Sequence, residues 1–543
     1  MKPPKLVLCV IDAMAPEMLV RAAESGAAPV LAELMQRGTY IPNCVAPFPS
    51  VTPVCAASIV TGTAQDEHHI PGMNWYSRTE ERYVEYGSSL RAAQRFGIAR
   101  QLTDTVYNMN RAHLSAETLT AFERLDDADV RTAGTTYLMY RGRHRHEPQR
   151  DTALARALAG TLARYPVMGP RELFYADVFA SRRTGCRSTL GMPGVRDRHS
   201  GCVSEYMVEH DLFDFLLLSL PDNDWYSHKH GPDGQLTSLA AADLQLARVM
   251  EAAGGVDEFL AEHAFIAMAD HSQALVTDTI DLQAALADLG VLQPSGGSSI
   301  LGALSALGSL REQIRPDASS TASATSPPEH VPAERVGVRR ARETGDVEPR
   351  IAVCPSQRAA MVYALRPEER DAMRASVVTR ALAIDGVELI AWLARDAHDR
   401  PAEGVVCRPD CGELRFAPGG DLRDGRGESW HVDGELAVLD ATVRGGDNVL
   451  QSPDYPDALA RLWSALTCPT SGEVLLSAAP GYEFVDWGGA AHVGGGSHGS
   501  LHASDSLAPL VLTGIHPPAD PPGQWAIRDV AALVNGHFGV DLD

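Results

Sequence analysis

Three stretches of the chain are apolar without alternation, and each stops at an acid. Residues 5–11 (KLVLCVI) end at Asp12, residues 211–220 (DLFDFLLLSL) run into Asp222 and Asp224, and residues 263–269 (HAFIAMA) end at Asp270. Short, continuous apolar runs of this kind suit strands buried on both faces of a parallel sheet. Between them the period changes. Met18, Leu19, Ala22, Ala23, Val30, Leu31, Leu34 and Met35 form a helical stripe over residues 15–37 with Gly38 as its stop, and residues 236–251 carry another. Strands alternating with helices predict an α/β fold around a mostly parallel central sheet.

The remaining pattern divides the chain. After PFPSV, residues 52–61 read as a helix that begins at Thr52 and ends before Gly62. Residues 293–349 turn to Ser, Ala, Gly, Pro and Arg without periodicity and read as a disordered low-complexity insertion. Residues 350–450 suggest a small α+β cap: a strand near 359–365, a helix over 367–382, and short strands in GVELIAWL, GELRFAP and GELAVL. Residues 451–543 supply a helix (YPDALARLWSAL), a strand (GEVLLSAA), a glycine-rich loop (GGAAHVGGGSHGSLHASD) and an apolar run, LAPLVLTG, expected to rejoin the main sheet. The core is therefore expected in two parts, 1–292 and 451–543, around the insertion and the cap.

Composition narrows the function classes. A chain of 543 residues exceeds one compact core of ordinary size. No run approaches the roughly 18 apolar residues that span a bilayer, so no membrane association is expected. A net charge of −23 argues against binding nucleic acid or anionic lipid. The nine cysteines are scattered without a CxxC pair, which predicts neither a disulfide framework nor a zinc ribbon, leaves Cys407 and Cys411 as free thiols, and makes the cytoplasm the default location. The basic segment 141–147 (RGRHRHE) reads as a solvated loop.

Candidate chemistry follows from the acids. In an open parallel sheet, functional groups gather outside the carboxyl ends of the strands, so Asp12, the Asp222/Asp224 pair and Asp270 should converge. Converging carboxylates repel and require a cation. Histidines accompany them: His228 and His230 after Asp224, His271 after Asp270, and His498 and His502 in the glycine-rich loop. Mixed carboxylate and imidazole donors suit zinc or manganese better than calcium, and this many donors suit two ions. Asp222 follows Pro221 and is expected to shape the turn, leaving Asp224 as the ligand. Thr52, at a helix start, has two readings: a helix cap, or a hydroxyl nucleophile placed where an anion is attracted.

Taken in order, these motifs resemble the alkaline phosphatase superfamily, and within it the type I phosphodiesterase/nucleotide pyrophosphatase branch. Ile11-Asp12 resembles the first metal-ligand strand; FPSVTPVCAASIVTG resembles the nucleophile helix, with Thr52 as its threonine. HHIPGMN resembles the loop bearing an oxyanion-stabilising asparagine, Asn74, and is one residue longer than in the family. DNDWYSHKHGP, MADHSQ and GGSHGSLH resemble the remaining ligand motifs and supply Asp224 and His228, Asp270 and His271, and His498. The resemblance covers about residues 5–285 and 450–515.

It implies a three-layer α/β sandwich and two zinc sites, one from Asp224, His228 and His498, the other from Asp12, Asp270, His271 and Thr52. It further implies a small-molecule phosphodiester or nucleotide as substrate, hydrolysed through a phosphothreonine on Thr52. Trp75, Tyr76, His230 and His502 are candidates for substrate contact. Alternatives on the same platform are phosphonate or phosphate monoester hydrolysis or phosphoryl mutation. A sulfatase is disfavoured because no C/S-x-P-x-R motif occurs where its nucleophile would be. A noncatalytic binding module would be expected to have lost ligands that this chain keeps.

Overall fold

The computed structural model describes residues 3–149, 165–176, 178–188, 191–294, 348–446 and 448–542. Most of the expected insertion 293–349 lies outside the described residues.

Eight strands form the main sheet, in the spatial order Thr39–Val45, Leu507–Thr513, His263–Met268, Lys5–Ile11, Phe215–Leu220, Thr132–Thr135, Glu172–Tyr175, Phe179–Ala180. The three apolar, acid-ended runs are its centre. Lys5–Ile11 pairs in parallel with both Phe215–Leu220 and His263–Met268. All residues of the latter two strands are buried, the reason their sequences show no alternation. Leu507–Thr513 returns to this sheet antiparallel to His263–Met268, as LAPLVLTG predicts. The helical stripe over 15–37 is two helices, Pro16–Glu24 and Pro29–Arg37, because a Ser-Gly turn and a proline interrupt it.

Helices Pro16–Glu24, Pro29–Arg37, Arg196–Glu209 and Gln235–Glu251 pack together as one layer, and Thr52–Thr61, Ala121–Asp127 and Asp529–His537 as another. With the sheet they make the alkaline-phosphatase-like three-layer α/β sandwich. Among the described residues no helix is long and apolar enough to cross a membrane.

A second sheet of nine strands starts at Ile351–Ser356. Its side chains alternate between two environments. Ala352, Cys354, Met361 and Tyr363 join the apolar cluster of the main sheet, while Val353, Ala360 and Val362 join a separate cluster with Met373 and Val377 of helix Arg370–Ala381. The strand Val474–Ala478 lies inside this second sheet, between Ala359–Ala364 and Val387–Arg395. It does not lead directly back to the main sheet.

Two local expectations change. Cys186 and Cys202 form a disulfide, and the other seven cysteines, Cys407 and Cys411 among them, are free. Their spacing belongs to no recognisable motif, and cysteine usage no longer argues for a reducing compartment. The segment 141–147 is tied down: Arg141 pairs with Glu123 at 3.0 Å and donates to the Ser115 carbonyl at 2.9 Å, and His144–His146 pairs with Val167–Gly169.

Candidate active site

Beyond the carboxyl ends of the central strands lie two groups of side chains that could hold a metal ion. Asp224, His228 and His498 form one, and Asp12, Asp270 and His271 the other; within each, the ligand atoms lie within 4.8 Å of one another. His228 Nε2 and His498 Nε2 approach Asp224 Oδ1 at 3.3 and 3.4 Å. His271 Nε2 lies 3.5 Å from both Asp12 Oδ1 and Asp270 Oδ2. The groups adjoin, since the His271 and His498 rings stack at 3.8 Å.

Backbone carbonyls fix all three imidazoles. Nδ1 of His228, His498 and His271 donates to the carbonyls of Gly496 at 2.7 Å, Ser50 at 2.8 Å and Ser272 at 3.1 Å. That selects the tautomer whose Nε2 lone pair faces the carboxylates, the arrangement that holds a metal-ligating histidine. Asp12 Oδ1 and His498 Nε2 are buried and lack a hydrogen-bond partner. Donor atoms of this chemistry, aimed inward and unsatisfied, fit a divalent cation in each group.

The charges agree. Burial, then the Asp270 and Asp224 carboxylates, push the Asp12 carboxyl well above its usual range. Burial also raises Asp270, against the pull of His271. Burial opposes ionisation of Asp224 as well, but His228 and then His498 outweigh it and hold that carboxyl low. Carboxylates that raise one another's proton affinity form a site that positive charge stabilises.

Asp12 owes its position to tight local structure. Ala13 sits in the left-handed region at φ +59°, a conformation disfavoured by roughly 1–2 kcal/mol for a residue with a Cβ. Bonds on both sides hold it: its N–H donates to Asp270 Oδ1 at 3.2 Å, and its carbonyl accepts from Gln235 Nε2 at 2.9 Å. Asn223 Nδ2 donates to the Asp12 carbonyl at 2.8 Å. Asp222, the first residue of helix Asp222–His230, ties that helix to another segment, accepting from Gly194 N at 2.8 Å and Arg196 Nε at 2.9 Å, and it stands outside both ligand groups.

Thr52 is the first residue of helix Thr52–Thr61, and its hydroxyl lies 3.3 Å from His271 Nε2. The helix is apolar on every side and buried from Pro53 to Thr61, so its start cannot drift from the crevice. Pro53 has no N–H, and Val54 and Cys55 donate theirs to the Val51 carbonyl at 3.0 and 3.1 Å. The helix therefore offers an anion its dipole rather than a row of free amides.

Asn74 is fully buried; its Nδ2 donates to the Pro355 carbonyl at 2.6 Å, and its Oδ1 has no partner. The four candidates for substrate contact each have packing or hydrogen-bond partners of their own. Trp75 is buried edge-on against His113 at 5.1 Å, and Tyr76 packs against Tyr83 and Tyr363. His230 is exposed and lies against Tyr226 at 4.2 Å. His502 caps the short helix Ala503–Ser506, accepting from Ser504 N at 3.1 Å.

Gln273, Gln357 and Arg358 reach the site without having been anticipated. Gln273 Nε2 donates to Asp224 Oδ1 and, at 3.1 Å, to the Asp224 carbonyl. Gln273 lies in the MADHSQ motif, where its position two residues beyond His271 was a usable signal; Gln357 and Arg358, in an ordinary hairpin turn, carried none.

The sequence signature described as type I phosphodiesterase/nucleotide pyrophosphatase matches residues 6–365. Compared by sequence with curated proteins, the chain has no match. Among solved structures it is similar to phosphonoacetate hydrolase from Sinorhizobium meliloti in complex with phosphonoacetate, at 15% identity and a TM-score of 0.51 over 99% of this chain and 96% of that one. It is also similar to murine ectonucleotide pyrophosphatase/phosphodiesterase 5, an inactive variant in complex with AMP, at 9% identity and a TM-score of 0.51 over the same shares. At these identities the likeness is one of fold.

Proposed function

The chain belongs to the type I phosphodiesterase/nucleotide pyrophosphatase family and is a hydrolase acting on phosphoester bonds; from that premise we propose that it cleaves small phosphodiesters or nucleotide pyrophosphates with Thr52 as nucleophile. The observation that carries this reading is the Thr52 hydroxyl, 3.3 Å from the inward-facing Nε2 of His271, whose ring stacks at 3.8 Å on His498 of the other candidate group.

Asp224, His228 and His498 would hold one zinc ion, and Asp12, Asp270, His271 and Thr52 another, and the two ions would together neutralise phosphate charge and acidify the threonine hydroxyl. In the first step the Thr52 Oγ–phosphorus bond forms and the bond from phosphorus to the leaving oxygen breaks. The threonine proton passes to solvent, and the leaving group departs with the electron pair and is protonated as its basicity requires. In the second step water attacks phosphorus, the phosphorus–Oγ bond breaks, and Thr52 recovers its proton as the phosphate product leaves. The dipole of helix Thr52–Thr61 favours the anionic group at its start. Asn74 has a second amide hydrogen with which to hold a nonbridging oxygen.

Thr52→Ala should lower hydrolysis of bis(p-nitrophenyl) phosphate by about a thousandfold or more, as loss of a nucleophile does, while zinc content stays at two per chain. A variant that keeps near wild-type rate refutes the assignment. Rates on mono-, di- and phosphonate esters, measured on the zinc-loaded enzyme, separate this substrate class from its alternatives.

A further inference from the structure

The geometry points to a further substrate-contacting residue, Gln357, supplied by the second sheet; the inference rests on the two-metal phosphoester reading above. Strands Ile351–Ser356 and Ala359–Ala364 pair up to Ser356 and Ala359, so the chain reverses through Gln357 and Arg358 alone. Gln357 takes φ +62°, in the left-handed region that a residue with a Cβ avoids unless its surroundings hold it there.

They do so from three sides. The Gln357 carbonyl accepts from Phe484 N at 2.9 Å, Arg358 N donates to the His498 carbonyl at 2.9 Å, and Ser356 Oγ accepts from Asn74 N at 3.1 Å. Gly499, at φ +117°, lets the His498 loop come this close: a Cβ there would lie 2.9 Å from the Ser356 carbonyl oxygen.

This turn aims the Gln357 side chain into the crevice. It is 8% exposed, its Nε2 lies 3.5 Å from His228 Nε2, and its Oε1 is buried without a partner. His228 Nδ1 is already committed to Gly496, so the nitrogen that Gln357 approaches is the one that faces the metal group. A strained, anchored residue whose amide NH2 has only this long 3.5 Å approach, to a nitrogen that a cation would occupy, keeps its donors for something bound there.

We propose that the Gln357 amide donates to the substrate oxygen on the Asp224–His228–His498 side. In the first step that is the leaving oxygen, in the second the attacking water, and in the product complex an oxygen of phosphate. A donor aimed at an oxygen that gains charge works most where the charge is greatest, so its loss is felt most by poor leaving groups.

The test uses the full chain loaded with zinc, as wild type, Gln357→Ala and Gln357→Gly. The glycine variant removes the side chain at a φ that glycine adopts freely, so it folds even if the alanine variant does not. Three quantities are read: zinc per chain, affinity for inorganic phosphate by calorimetry, and kcat/KM on aryl phosphodiesters whose leaving groups span a range of basicity. The expectation is two zinc ions per chain, phosphate binding weakened about tenfold, and kcat/KM lowered about tenfold for the best leaving group and about a hundredfold for the most basic. Unchanged phosphate affinity, an equal loss for every leaving group, or the loss of a zinc ion overturns the inference, the last by making Gln357 a ligand or a prop for His228. A wild type that holds zinc but hydrolyses no phosphoester refutes the proposed function instead. The phosphate measurement then decides the role of Gln357 alone.

Discussion

Replacing Arg358 by methionine removes the cation of a completely buried pair, and the consequences can be worked from its contacts. Arg358 Nη1 lies 3.0 Å from Asp505 Oδ1, with both side chains 0% exposed. Its Nε and Nη2 donate to the carbonyls of Tyr482 and Ala479, each at 3.1 Å. Removing one partner of such a pair strands a buried charge, at about 3–5 kcal/mol. Asp505 would keep Ser500 N at 2.8 Å and Ser500 Oγ at 2.7 Å, which places the loss toward the lower end; the Ala479 carbonyl keeps Tyr482 N at 3.0 Å, and the Tyr482 carbonyl, losing its arginine donor, adds about 1 kcal/mol. A destabilisation of about 4 kcal/mol is expected. With a urea dependence of about 3 kcal/mol per molar or more for a chain this long, the unfolding midpoint should fall by about 1 M. The damage should also reach one metal site. Arg358 N holds the His498 carbonyl, so a loosened turn should weaken zinc at Asp224–His228–His498 and spare the Asp12–Asp270–His271 group. Tryptophan fluorescence follows unfolding, and competition with a chromophoric chelator reports both zinc affinities. A midpoint shift below about 0.2 M, or equal weakening of the two sites, would refute the reasoning.

Two further outcomes follow from local geometry. A Cβ on Gly495 would lie 1.9 Å from the His228 backbone oxygen, a clash that only backbone movement relieves, so Gly495→Ala should weaken zinc binding by Asp224, His228 and His498 at least tenfold, as a zinc titration would reveal. His68 is buried with its pKa lowered to about 3 by burial and then by His69, whereas in the unfolded chain it titrates near 6.5. Because the unfolded state binds the proton more readily, the stability this group contributes is complete above about pH 6.5 and is lost as pH falls toward 3. Between pH 7 and pH 5 the loss is about 2 kcal/mol. His68→Gln should remove that share of the acid sensitivity in urea unfolding at the two pH values; equal pH dependence in both proteins would contradict it.

The sequence marked the candidate ligands that the fold brings together, because the physics that buries a parallel strand also marks its end. An apolar run that stops at Asp12 or Asp270 announces both the strand and the acid beyond it. What it did not carry depends on pairing across long distances. Thr39–Val45 is a main-sheet strand whose pattern is spoiled by Pro42; a register shift between Ile41 and Cys44 at the sheet edge accommodates it. Val474–Ala478 has an apolar pattern that fits either sheet, and only its partners Ala359–Ala364 and Val387–Arg395 decide which. Trp75 and Tyr76 follow Asn74 directly and invite a role in the pocket, yet the hairpin of Asn74–Ser77 with Arg82–Glu85 directs them into aromatic packing. Gln357 left no trace at all, since its meaning comes from a histidine 129 residues earlier.

That division has a chemical counterpart. The six candidate ligands and Thr52 come from the ends of main-sheet strands and the helices and loops that follow or flank them, whereas the turn at Gln357 and Arg358 comes from the second sheet. This turn touches the site mostly through bonds that leave ligand identity alone: the Pro355 carbonyl to Asn74, Arg358 N to the His498 carbonyl, and the Gln357 amide toward His228. Changes at the strand ends should therefore alter which ions are held, while changes at Gln357 should alter which phosphoester is preferred at constant metal content. Because the turn is bonded to the His498 loop, it moves with that ligand. The turn is thus tied to the Asp224–His228–His498 group, whereas Thr52, anchored separately by its buried helix, lies beside His271 of the other group.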